Sequence, residues 1–185
     1  MTGGPGAGKT TVWRAFVEAH ASDVCAVPEV ATLMLSHVFP GIDSDVQRCA
    51  LQRSIFALQH NLEAYHADRS PGLALVCDRG TPDGGGYWPD GHRAFFSAMQ
   101  CDWDTELARY DAVLFLETAA AAGLSIASDN ATRTEDLQTA LAIDRRLHDV
   151  WSKHPRFHHV PVEDRFASKV QHGLATLEKL LGELK

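Results

Sequence analysis

The chain is short of positive charge: 17 lysines and arginines stand against 24 aspartates and glutamates over 185 residues, a formal balance of −7. That balance argues against a nucleic-acid polymer or an anionic membrane as the main partner, since both are held through basic surface. No apolar run approaches the length that spans a bilayer, and the N-terminus lacks the charged-then-apolar pattern of a leader, so no membrane attachment is expected. Cys25, Cys49, Cys77 and Cys101 form no C-x-x-C pair. Cys25 and Cys77 sit in apolar runs where a reduced, buried thiol is the expectation, and a cytoplasmic setting with it. The ten histidines give no His-x-x-x-His pair within a helix beside a carboxylate, and His158 and His159 are adjacent, which in a strand turns them to opposite faces; no histidine metal site is expected. Repeats and low-complexity linkers are also missing. With 45% hydrophobic residues, the length suits one domain over residues 1–185 and not two.

What the chain does have begins at its third residue. Gly3-Gly4-Pro5-Gly6-Ala7-Gly8-Lys9-Thr10-Thr11 fits G-x-x-x-x-G-K-[ST] from Gly3 to Thr10. Small residues let backbone N–H groups turn inward around a phosphate, and the helix that follows points its positive end at the same place. Lys9 supplies a point charge for the terminal phosphates of ATP, and Thr10 a hydroxyl for Mg²⁺. Such a loop hangs from a buried strand, yet only Met1 and Thr2 precede Gly3. The expectation is a native reading frame that starts upstream, with the strand before the loop missing from this chain.

Apolar spacing at Val12, Phe16 and Ala19 predicts a helix after the loop, and Val24–Val27 a short buried strand ending at Pro28. Glu29 then stands where open α/β sheets bind ligands, although an acidic residue in the first turn of a helix over 29–37 has an ordinary explanation too. Residues 45–69 carry a sustained helical stripe read as packing. The run 73–77 is apolar throughout, as expected of a strand covered on both faces, and ends in Asp78-Arg79. Asp78 is either a turn residue or a Mg²⁺-handling carboxylate. A glycine-rich loop through Gly84–Gly86 follows, with Trp88 either lining a pocket or anchoring the loop. Helices over 92–99 and 104–109 lead to a third strand over 112–116, and Phe157–Val162 reads as the last. Alternation of strands and helices implies a parallel sheet with right-handed crossovers. Arg133 sits in the first turn of a helix whose macrodipole it opposes, which points to a phosphate partner; Arg145 and Arg146 lie on the same helix, at least one of them as surface charge. The closing stripe from Phe166 to Leu184 covers one sheet face or forms a dimer contact, leaving monomer and homodimer open.

On Gly3–Thr11, Val27-Pro28-Glu29-Val30-Ala31, Cys77-Asp78-Arg79-Gly80 with Asp83, Ala108-Arg109-Tyr110-Asp111 and Arg133-Thr134-Glu135-Asp136, the sequence resembles a family of compact bacterial P-loop AAA-type ATPase or NTPase domains. That family is similar to the nicotinamide-riboside-kinase-like domain of a NAD biosynthesis regulator and, more distantly, to deoxynucleoside kinases. The resemblance implies an α/β three-layer sandwich, the P-loop NTPase fold with a nucleoside-kinase-type parallel sheet of five strands and the loop strand in its middle. By the same resemblance Glu29 is the general base for an acceptor hydroxyl, Asp78 the group near Mg²⁺, Arg79 a phosphate-contacting arginine and Arg133 the lid arginine. The activity so implied is transfer of the terminal phosphate of ATP-Mg²⁺ to a small, nucleoside-like acceptor. The other reading is a nucleotide-dependent regulatory module that hydrolyses ATP slowly, and dependence of turnover on an acceptor separates the two.

Overall fold

The computed structural model describes residues 1–123 and 137–184. In chain order the elements are α1 (Lys9–Ala19), β1 (Val24–Val27), α2 (Val30–His37), α3 (Asp45–Arg69), β2 (Ala74–Cys77), α4 (Gly84–Tyr87), α5 (Gly91–Met99), α6 (Trp103–Leu107), β3 (Val113–Leu116), α7 (Leu137–Trp151), β4 (Phe157–Val160) and α8 (Phe166–Leu184). β1 pairs with β2 in parallel, Val24 opposite Ala74, and β3 pairs with β4 in parallel, Val113 opposite Phe157. Met1 and Thr2 join the two pairs. The Met1 ammonium donates to the Cys77 carbonyl at 2.8 Å, and Arg79 N–H donates to the Met1 carbonyl at 2.9 Å. On the other side Thr2 N–H donates to the Leu114 carbonyl and Leu116 N–H to the Thr2 carbonyl, both at 2.9 Å. The order is therefore β1, β2, the two residues before the phosphate loop, β3, β4. A two-residue stub holds the central position.

Helices cover both faces. α1 and α8 pack against each other on one side, where Val12, Phe16, Leu177 and Leu181 meet Leu114, Leu116 and Val160. α3, α4 and α7 take the other side, with Ile143 and Leu147 against Phe115. All four β3 residues are buried, which is why this strand reads as unbroken hydrophobicity. α3 opens on a reciprocal cap: Ser44 Oγ accepts from Gln47 N–H, and Gln47 Oε1 accepts from Ser44 N–H. β4 stops at Val160 rather than Val162, because Val162 N–H donates to the Glu117 carboxylate instead of continuing the ladder. Among the described residues no helix is long and apolar enough to cross a membrane.

The glycine-rich stretch expected as a loop is helical, and packing explains its composition. A Cβ on Gly84 would lie 2.5 Å from the Phe95 ring, one on Gly85 2.8 Å from the His92 Cβ, and one on Gly86 2.6 Å from a Leu147 methyl. The glycines let α4 approach α5 and α7 closely enough to seal the layer. Trp88 resolves as an anchor: it is buried, with its ring edge-on to Phe95 at 5.6 Å.

Below Met1 the sheet has a gap. Ala74 and Asp78 donate their amides to β1, so strand alternation aims the Leu75 backbone groups and the Cys77 N–H the other way, into a cavity of about 320 Å³ between β2 and β3. Leu177, Leu181 and Leu184 roof it. A version of the chain carrying four alternating valines and isoleucines ahead of Met1 is expected to gain about 1–3 kcal/mol for each backbone group it satisfies. Four glycines and serines at the same place should add nothing to the thermal midpoint. Equal midpoints for the two versions would show that the gap does not accept a strand.

Candidate active site

The phosphate loop is shaped by steric limits at its glycines. Gly3 has φ +137° and Gly8 φ +85°, and a Cβ on Gly3 would lie 2.0 Å from the Leu116 carbonyl oxygen, so no side chain fits there. Gly4 donates its N–H to Asp144 Oδ1 at 2.8 Å, and the same oxygen takes Thr118 N–H at 3.0 Å. Burial pushes the Asp144 carboxyl up, against the pull of those two bonds. Thr118 donates its hydroxyl to the Pro5 carbonyl. The loop is thus tied to the ends of β3 and α7 through Gly4 and Pro5, while Gly6 (φ +70°) and Ala7 complete the turn. Lys9 is buried at the start of α1 and donates its Nζ to the Gly4 carbonyl at 2.8 Å, folded back across the loop. Thr10 and Thr11 are exposed on the first turn of α1.

Thr10 faces Asp78. Its hydroxyl donates to Asp78 Oδ2 at 3.2 Å, whereas Asp78 Oδ1 is buried and has no hydrogen-bond partner among the described residues. An orphaned buried carboxylate oxygen is costly unless something outside the protein supplies its partner. Desolvation by burial, seconded by the negative charge of Glu29, pushes the Asp78 carboxyl above its ordinary value of 3.8 against the pull of Lys9 and Arg79. A hard divalent cation takes oxygen ligands of this kind, and a hydroxyl beside an unsatisfied carboxylate fits one.

Glu29 occupies the N-cap position of α2, yet its side chain makes no capping bond. Its Oε1 accepts from Arg79 Nε at 2.6 Å and its Oε2 from the Thr32 hydroxyl at 2.5 Å. The helix-start explanation for this glutamate therefore gives way to a side chain held by the arginine. Arg79 has φ +81°, a left-handed conformation that costs a non-glycine residue about 1–3 kcal/mol. It is also the residue whose guanidinium joins both carboxylates: Nη1 donates to Asp83 Oδ2 at 2.7 Å, and the group stacks over Tyr87. Burial works against its charge, but Tyr87, Glu29 and Asp83 outweigh burial and hold its pKa well above the ordinary value. Among the described residues its two side-chain hydrogen bonds both go to carboxylates, Glu29 and Asp83. Beneath it, Gln59 donates to the Arg79 carbonyl at 3.3 Å. Tyr110 accepts from Thr81 N–H at 2.8 Å and donates to Glu63 at 2.9 Å, and Arg109 pairs with Glu63 at 2.6 Å and with Glu106 at 3.2 Å. The Arg109-Tyr110 motif thus supports the backbone from Arg79 to Thr81.

A cavity of about 570 Å³ opens from this point, with Glu29, Arg79 and Asp83 at one end and Tyr87, Leu35, Ile42 and Ile55 among its walls. Arg145 and Arg146 are exposed, and Arg133 lies outside the described residues.

A family model described as an AAA domain matches residues 1–166. The chain belongs to that AAA domain family. Among solved structures, this AAA domain is similar to a deoxyadenosine kinase from M. mycoides with bound dATP, at 11% sequence identity and a TM-score of 0.62, over 95% of this chain and 96% of the other. That likeness establishes the fold, a P-loop NTPase fold. No curated protein matches the chain. Three positions at the cavity and the phosphate loop of the AAA domain carry little signal in the sequence. Gln52 and Gln59 were hidden in the α3 stripe taken as packing, though two glutamines seven apart among apolar residues share one helix face and were a usable signal. Asp144 gave none, because an aspartate in mid-helix is ordinary until the phosphate loop is folded onto it.

Asp78 provides a direct test of the unsatisfied oxygen. Its folded-state pKa is raised, so the folded protein favours the neutral carboxyl, and stability is lost as pH climbs from the unfolded value of 3.8 through the folded one. Asp78→Asn without nucleotide or divalent cation should therefore be more stable than the parent at pH 8, by about 1–3 kcal/mol. The difference should vanish near pH 4. Thermal melts across that range check it, and a variant less stable at pH 8 would mean the carboxylate is satisfied after all.

Proposed function

We propose that this protein transfers the terminal phosphate of ATP to a hydroxyl of a small, nucleoside-like acceptor, with Mg²⁺ held by Thr10 and Asp78. The observation that carries the reading is the position of Glu29: a carboxylate that caps nothing, stands at the end of a cavity, and is near enough to Asp78 to raise its pKa. Phosphoryl transfer asks for little covalent chemistry from the protein, only positioning and charge.

Each residue then has one task. Gly6 and Gly8 present backbone N–H groups to the phosphates, and Lys9 exchanges the Gly4 carbonyl for a phosphate oxygen when nucleotide enters. Thr10 and Asp78 hold Mg²⁺ when it is bound, and the charge it supplies offsets that of the phosphates. Glu29 accepts the proton of the acceptor hydroxyl. Arg79 and Thr32 fix the direction of its carboxylate. Gln52 is buried, lines the same cavity, and has no hydrogen-bond partner for its amide among the described residues. An amide of that kind offers one donor side and one acceptor side, the complement of a heterocycle edge that carries both. Arg133 is proposed as a lid cation on the transferring group, from the sequence alone.

ADP formation from ATP-Mg²⁺ measured over a nucleoside panel, with detection of the phosphorylated nucleoside, is the test. One nucleoside should accelerate turnover well beyond the rate without acceptor. Glu29→Gln should then lower kcat by about 10²–10⁴-fold, the range for a general base, with the KM for ATP little changed. Gln52→Leu should raise the acceptor KM by about tenfold, the weight of one buried hydrogen bond. Slow hydrolysis that no acceptor accelerates would replace this reading with the regulatory module.

A further inference from the structure

The acceptor cavity is electrically polarised from end to end. Glu29 and Asp83 stand at its inner end, and the Arg79 guanidinium there is committed to both of them. Arg48 is the other cation among the described lining residues, and its guanidinium makes no hydrogen bond or ion pair with any described residue. It is half-buried on α3, one turn before Gln52, so both side chains lie on the helix face that lines the cavity.

Position along α3 converts this into a length. Gln59 marks the inner end, because its amide donates to the Arg79 carbonyl. Gln52 lies about 10 Å from it along the helix axis, and Arg48 about 6 Å further, at about 1.5 Å rise per residue. The first interval accommodates a sugar with a ring attached. The second accommodates a substituent on that ring and nothing larger.

We propose that the acceptor carries an anionic group, a carboxylate or an equivalent oxyanion, on the end of its ring system remote from the hydroxyl, and that Arg48 receives it. The proposal rests on the nucleoside-like reading of the cavity and narrows it. Arg48 presents a planar fork of donors that matches a carboxylate, whereas a neutral heterocycle would leave a partly desolvated cation without a partner. Glu29 and Asp83 repel the same group from the inner end, so the two ends together set one orientation: anion outward, hydroxyl at Glu29.

Binding measured by calorimetry tests this without phosphoryl transfer. The probes are two pairs that differ in charge alone: 5-carboxyuridine against 5-carbamoyluridine, and N6-carboxymethyladenosine against N6-carbamoylmethyladenosine. In at least one pair the carboxylate should bind about tenfold more tightly than its carboxamide, as a charge-assisted bond exceeds a neutral one. Arg48→Gln should equalise that pair, and Arg48→Lys should restore part of the preference. Equal binding within both pairs, or a preference that survives in Arg48→Gln, would overturn the anion-receiving role while leaving the nucleoside-like cavity standing. Failure of all four probes to bind, under conditions where ATP binds, would overturn the nucleoside-like reading and this proposal with it.

Discussion

Asp83 is the residue on which the remaining geometry depends. Its Oδ1 accepts from the Thr2 hydroxyl at 2.9 Å and from Trp151 Nε1 at 2.7 Å, and its Oδ2 accepts from Arg79 at 2.7 Å. A carboxylate this buried is tolerated only when its charge is paired and its lone pairs are occupied. The three donors come from the central stub, from the end of α7 and from the turn after β2, so the condition fixes three distant segments at once. Truncating Arg79 leaves a buried charge uncompensated, and truncating Thr2 or Trp151 leaves a buried carboxylate oxygen short of a donor.

Arg79 carries that fixation to the reacting end. Its left-handed backbone points the guanidinium between two carboxylates, and Gln59, Tyr110 and Thr81 hold the surrounding chain in place. Strain stored at a residue that organises a site is a recurrent feature of functional positions. Here it brings Glu29 to the cavity with its orientation already set. The phosphate loop is positioned by a different set of contacts, through Asp144 and Thr118, so loop and cavity are held from opposite flanks of the central stub.

The glycine run 84–86 shows how one composition serves two readings. Three consecutive glycines signal conformational freedom in a loop, but they equally permit the close approach of one helix to two others, and only the positions of Phe95, His92 and Leu147 decide between these. Trp88 is the same case in reverse, an aromatic beside glycines that is buried against Phe95 and not spread over a ligand.

What the sequence by itself determined follows from local rules. The phosphate loop is dictated by glycines whose backbone no other residue adopts or fits. The four strands are dictated by short apolar runs, and α3 by a capping box and a long stripe; all were legible to within a residue or two at their ends. The sheet order was legible only through resemblance, and the central place of Met1 and Thr2 only in the folded chain, since two residues carry no periodicity. The tertiary structure alone decided which partner each buried polar group takes. Arg79 was brought to Glu29 and Asp83, and Asp144 to Gly4 from 140 residues away. Gln52 and Arg48 became cavity residues in the same way. Hydrogen bonds and ion pairs depend on distances of a few ångströms between segments remote in sequence, and no local pattern of residue types encodes them.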